Sequence, residues 1–150
     1  MVASLAGDAF ERVRVAMERP QPRVALGLAL RGVATSAIDV SDGLLGDLAH
    51  VLRRSTLGAE VNVDALPRSA ALRALSPAWQ RTCTLAGGDD YELVFTAPPA
   101  RAEQVEAAAR AAQVCVTRIG RVVAEGGLRL WDEAGAGVPN TFGAFDHFKA

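Results

Sequence analysis

Two carboxylates and a hydroxyl fall within four positions of the chain, at Asp39, Ser41 and Asp42. Proteins commonly hold magnesium with one or two carboxylates together with the phosphates of a substrate. A helical pattern begins directly afterwards, and the N-terminus of a helix attracts phosphate through its free backbone N–H groups. The spacing therefore fits a metal–phosphate site. It also fits simple helix capping, the commoner use of such residues, with Ser41 as the N-cap and Asp42 favoured by the helix dipole.

A second stretch that could do chemistry is the Gly-Gly-Asp-Asp-Tyr-Glu sequence at residues 87–92. Paired glycines allow a backbone to bend tightly and to approach a ligand. Two carboxylates and a phenol follow them at once. The alternative is a surface turn with solvated aspartates, because Gly and Asp are common turn residues. The sequence pattern leaves both interpretations open.

Regular elements are predicted on either side of both stretches. Residues 33–40, rich in Val, Ile, Ala and Thr, are expected to form the strand that leads into the first stretch. The helix at about 43–54 carries one apolar stripe. The second stretch lies between a helix that begins at Ser76-Pro77 and a strand that ends near Thr96. Further helices are predicted at 5–18, 69–75 and 100–112, further strands at 59–63, 114–123 and 128–131, and either type at 24–30.

Length and composition indicate one globular domain. The 150 residues are 50% apolar and 22% charged, which is enough to bury a core. The net charge of −1 gives no footprint for nucleic acid or an anionic membrane. No apolar run approaches the ~20 residues that a bilayer span requires. We therefore expect neither a nucleic-acid partner nor a membrane partner.

Four stretches together resemble the C-terminal half of the thiamine-monophosphate kinases, at residues 19–24, 38–44, 87–93 and 145–148. Their order and separation match, and the similarity extends over nearly all of residues 18–148. The acidic turn at 38–44 is shared more loosely by the aminoimidazole ribonucleotide synthetase superfamily. The resemblance implies an α+β fold, a layered α/β domain with a mixed β-sheet and packed helices, like the C-terminal domain of aminoimidazole ribonucleotide synthetase.

The resemblance also implies an activity and its site residues. The family transfers a phosphoryl group from ATP to thiamine monophosphate with Mg²⁺, giving thiamine diphosphate. By motif, Asp39 and Asp42 match the family's magnesium ligands, and Ser41 matches its ATP contact. Asp89, often Glu in relatives, and Phe145 match its substrate contacts. The alternatives are another ATP-dependent enzyme of the superfamily, or a non-catalytic binding domain of the same fold.

The resemblance further implies how the domain is used. We expect residues 1–150 to be the C-terminal domain of a thiamine-monophosphate kinase-like protein, without the N-terminal ATP-binding half. We expect the full-length protein to be a homodimer and to be located in the cytoplasm. Because one wall of a cleft cannot hold two phosphate groups, a metal and a nucleotide in line, we expect the 150-residue chain alone to be inactive.

Overall fold

The computed structural model describes residues 7–142, which combine helices with a mixed sheet. The α-helices of this part are Asp8–Glu18 (α1), Val24–Ala29 (α2), Leu44–Ser55 (α3), Ala70–Arg73 (α4), Pro77–Ala86 (α5) and Ala102–Ala112 (α6). A short 3₁₀ helix, Pro99–Arg101, precedes α6. The strands are Ser36–Val40 (β1), Gly58–Asn62 (β2), Glu92–Thr96 (β3), Gly120–Val123 (β4), Gly127–Trp131 (β5) and Gly137–Val138 (β6).

The strands form two sheets. β1 pairs antiparallel with β3, and the other four strands lie in the order β4-β2-β5-β6. Within the larger sheet, β2 and β5 are parallel while the other pairs are antiparallel. The sheet is therefore mixed, and the predicted α+β fold class is confirmed.

The first hydrophobic core is built around α3. The apolar stripe of this helix, at Leu44, Leu45, Leu48 and Leu52, is buried. It packs with Val40 at the end of β1, with residues of β2 and β5, and with Leu85 of α5, which is fully buried. Burial of apolar side chains such as these is the main contribution to the stability of a small domain. This packing places the start of α3 directly behind the acidic turn.

A second core joins α2 to α6, with Leu26, Leu30 and Ala108 at its centre. Residues 24–30, for which the sequence allowed either a helix or a strand, contain the helix α2, which packs against α6. The side chains of Val114 and Val116 pack on the same cluster. The second core therefore fixes α2 against α6.

Other predicted elements differ from the structure in informative ways. The strand predicted at 114–123 is wrong over 114–119, since only Gly120–Val123 joins the ladder with β2. The alternating valines before it, Val114 and Val116, pack on the second core, and within residues 7–142 they pair with no strand. In α1, the apolar side chains of Phe10 and Met17 are exposed. Among the helices of residues 7–142, none combines the length and apolar character needed to cross a bilayer.

Candidate active site

The acidic turn begins where β1 leaves the sheet. Asp39 is paired with Leu93 of β3 and is exposed, while the next residue, Val40, is buried in the first core. This alternation is the expected pattern for a strand with one covered face. The ladder therefore fixes Asp39 on the open face, and the half-buried Ser41 and Asp42 follow at once.

The capping interpretation of the turn is wrong. Helix α3 begins at Leu44, and its N-cap is Gly43, which has no side chain to accept a hydrogen bond. Ser41 and Asp42 lie before the cap, so they do not act as the N-cap and first-turn residues of this helix. The polar groups of Ser41 and Asp42 therefore lie in the turn between β1 and α3, outside the helix.

A carboxylate from inside α3 holds the turn instead. Asp47 is only 4% exposed, and its Oδ2 accepts hydrogen bonds from the backbone N–H groups of Ser41 at 3.0 Å and Asp42 at 3.1 Å. Side chains in a helix lean toward its N-terminus, which lets Asp47 reach back past the cap. Asp47 is not among the site residues that the sequence predicts. The available signal was a carboxylate among the buried leucines of α3, because buried carboxylates require partners.

The loop at 87–92 lies against the acidic turn. The N–H of Asp89 donates to the carbonyl oxygen of Ser41 at 2.9 Å, and the N–H of Tyr91 donates to that of Val40 at 2.8 Å. The structure therefore brings Asp39, Ser41, Asp42 and Asp89 to one edge of the domain, although they come from two separate stretches.

The backbone of this loop is strained. Asp89 and Tyr91 both have positive φ, at 63° and 51°. Asp tolerates this region, whereas a bulky residue such as Tyr is an outlier there. The hydroxyl of Tyr91 also donates to Oδ1 of Asp89 at 3.3 Å. Strained residues that the surrounding structure holds in place are concentrated at functional sites.

Two glycines permit the close approach of the turn and the loop. Gly43 has φ +106°, and a Cβ added there would lie 3.0 Å from backbone atoms of Ala86. A Cβ on Gly88 would lie 2.7 Å from the carbonyl oxygen of Ser41. Neither position has room for a larger residue, so the glycines in both motifs serve this contact.

A cleft opens beside the loop, between α1 and the start of β3. Its volume is about 430 Å³, and Arg12, Arg19, Arg23, Asp90 and Glu92 contribute to its walls. Nε of Arg23 donates to Glu92 at 2.8 Å, and a second, shorter bond makes the pair bidentate. Partial burial raises the pKa of Asp90 to about 6, and the negative charges of Glu92 and Asp89 add to the effect.

The donors at this edge fit a hard cation, because carboxylates and a hydroxyl are the oxygen ligands that Mg²⁺ prefers. Within residues 7–142, however, no three His, Cys, Asp or Glu side chains come together as a complete metal site. A cation held by Asp39 and Asp42 therefore needs further oxygen ligands, which phosphates can supply. Phe145, the predicted ring contact, lies outside the described residues.

Comparisons with known proteins agree with the resemblance seen in the motifs. The thiamine-monophosphate kinase of Haemophilus influenzae is 42% identical over 135 residues, which are 87% of this chain and 41% of that protein. The crystal structure of thiamine-monophosphate kinase from Stenotrophomonas maltophilia K279a superposes with a TM-score of 0.79 and 45% identity, over 85% of this chain and 41% of its own.

A solved structure of AaThiL complexed with AMPPCP and TMP superposes with a TM-score of 0.72 and 27% identity. It covers 97% of this chain, which covers 44% of that one. The chain thus spans about two fifths of the length of the relatives it matches. The family model described as AIR synthase related protein, C-terminal domain, matches residues 2–133. The chain therefore belongs to the family of AIR synthase related proteins, with residues 2–133 matching the C-terminal domain of that family.

Proposed function

We propose that this chain is the C-terminal part of an enzyme that transfers a phosphoryl group from ATP to thiamine monophosphate, giving thiamine diphosphate. The observation that carries the proposal is the direct backbone contact between the acidic turn and the loop at 87–92. That contact gathers the matched residues of both motifs on one edge. The similarity to thiamine-monophosphate kinases over 87% of the chain, and the AMPPCP and TMP bound in a relative, support the choice of substrates.

In this proposal Asp39 and Asp42 hold Mg²⁺, Ser41 contacts ATP, and Asp89 and Phe145 contact thiamine monophosphate. Bound magnesium would neutralise the negative charge of the phosphates. The residues of the chain act mainly by positioning, which is the principal task of the protein in phosphoryl transfer. The attacking group is an anionic phosphate oxygen, so the reaction requires no side chain as general base.

The domain is proposed to work with an N-terminal ATP-binding half, because its own edge forms a single wall. Holding the reactants in line accounts for ~7–11 kcal/mol of a barrier and needs both walls of a cleft. We propose that the complete protein is a homodimer and that it acts in the cytoplasm. The 150-residue chain alone is expected to give no phosphoryl transfer.

A domain exchange tests the proposal. The matching C-terminal region of the Haemophilus influenzae enzyme is replaced by this chain, and the hybrid is supplied with Mg²⁺, ATP and thiamine monophosphate. We expect thiamine diphosphate and ADP to form in equal amounts, at a rate in the range of about 1–100 s⁻¹ that is typical of kinases. Asp42→Asn in the hybrid should abolish most of this rate, and Asp132→Asn, on the distant β5–β6 connection, should not.

Each failure has a distinct meaning. A folded hybrid that forms ADP only with a different phosphate-accepting substrate would identify another ATP-dependent enzyme of the superfamily. A folded hybrid that binds nucleotide but turns over no substrate would identify a non-catalytic domain. Either result overturns the proposed kinase activity.

A further inference from the structure

Asp47 combines deep burial with a polar task. Within the described part of the chain it is the one charged residue in the buried class, at 4% exposure, and it lies among leucines of the first core. A carboxylate in such surroundings is costly unless it accepts hydrogen bonds. Its Oδ2 accepts two, and both come from the backbone of the acidic turn.

The position of these two bonds is specific. Asp47 belongs to the first turn of α3, whose N-cap is Gly43, so Ser41 and Asp42 lie outside the helix. In the common capping box, a side chain of the first helical turn accepts the backbone N–H of the N-cap residue itself. Here the carboxylate reaches further back and fixes the peptide units on both sides of the Ser41 side chain. The carbonyl of Ser41 is fixed as well, because Asp89 donates to it.

We propose that Asp47 is a positioning residue for the cation site. Its carboxylate holds the backbone of the turn so that Asp39 and Asp42 present their oxygens together. The inference rests on the proposed function, because it assumes that these two residues bind the cation. Outer groups that orient metal ligands typically change metal affinity by about 10- to 100-fold when they are replaced.

The experiment compares four variants of the 150-residue chain, which are Asp47→Ala, Asp47→Asn, Asp42→Asn and Asp132→Ala. Asp132→Ala is the matched control, because its carboxylate also accepts a backbone N–H, that of Ala136, but in the β5–β6 connection. The first measurement is amide hydrogen exchange of Ser41 and Asp42 by NMR, without metal. The second is the affinity for Mn²⁺ with AMPPCP, from water proton relaxation, of the hybrid enzyme carrying the same substitutions, because the proposed site needs both walls of the cleft.

We expect Asp47→Ala to speed exchange at both amides and to weaken Mn²⁺ binding by about 10- to 100-fold. Asp47→Asn keeps an acceptor oxygen and the shape of the side chain, so it should remain folded and show a smaller loss of the same kind. Asp132→Ala should leave both readouts unchanged.

The inference is overturned if either Asp47 variant exchanges like wild type at both amides, or if exchange rises while the Mn²⁺ affinity stays within about twofold. If wild type binds Mn²⁺ and Asp42→Asn binds it equally well, the proposed cation site is wrong and the inference falls with it. Absence of Mn²⁺ binding in wild type has the same meaning. The two failures are distinguishable because exchange is measured without metal.

Discussion

Replacing Gly88 with alanine should separate the loop from the acidic turn. The new Cβ would lie 2.7 Å from the carbonyl oxygen of Ser41, and ordinary contact begins at 3.4 Å, so the loop must move by about 0.7 Å. A shift of that size would stretch the bond from the N–H of Asp89 to Ser41 from 2.9 Å to about 3.6 Å, beyond hydrogen-bond distance. Overpacking of this kind costs about 1–3 kcal/mol.

Gly126→Ala is the matched control. No atom lies within 4 Å of a Cβ at that position. Both substitutions restrict the unfolded chain in the same way, so their difference isolates the steric cost. For a chain of this length, 1–3 kcal/mol corresponds to a Tm lower by about 2–12 °C. Thermal unfolding followed by circular dichroism measures it, and equal Tm values for the two variants would refute the contact between loop and turn.

The remaining predictions concern single side chains. In the hybrid enzyme, Asp42→Asn should lower Mg²⁺-dependent turnover by roughly 100-fold, because a lost metal ligand costs about 3 kcal/mol; normal turnover at limiting Mg²⁺ would exclude the ligand role. Phe145→Ala should raise the KM for thiamine monophosphate several-fold and leave that for ATP unchanged, since ring stacking contributes about 0.5–1.5 kcal/mol; equal changes in both would indicate a structural role. The pKa of Asp90, about 6 against an ordinary 3.8, means that the folded protein binds its proton more tightly than the unfolded chain. Ionisation of Asp90 should therefore destabilise the fold progressively as the pH rises from about 4 to about 6. Asp90→Asn should remove this loss, so its Tm should gain on wild type between about pH 4.5 and about pH 7, and a constant difference would contradict the shift.

Local patterns predicted the elements that bear the site. The apolar stripe of α3 follows helical spacing because one face of that helix packs on the first core, so period and burial coincide. Strand β1 was recognisable from its β-branched residues and from the acidic turn that follows it. The start of α5 was recognisable from Ser76-Pro77, and the structure shows Ser76 accepting the N–H of Trp79.

The missed features depend on distant parts of the chain. The pattern at 114–123 alternates correctly, but an extended segment joins a sheet only beside another strand, and Val114 and Val116 have none among the described residues. Capping by Ser41 was a sound local expectation, and it is wrong because α3 begins at Leu44 with Gly43 as its N-cap, while the N–H groups of Ser41 and Asp42 donate to Asp47. The contact between Gly88 and Ser41 joins two motifs whose spacing in sequence carries no information about distance in space.

The central claim is that the acidic turn and the loop at 87–92 form one ligand-binding wall. The decisive test is paramagnetic broadening by Mn²⁺ of the amide signals of this domain in the hybrid enzyme, in the presence of AMPPCP and thiamine monophosphate. We expect broadening centred on residues 39–43 and 88–91, with Gly137 on the far strand β6 unaffected, and we expect the broadening to be lost in Asp42→Asn. Broadening centred elsewhere, or unchanged by Asp42→Asn, would contradict it.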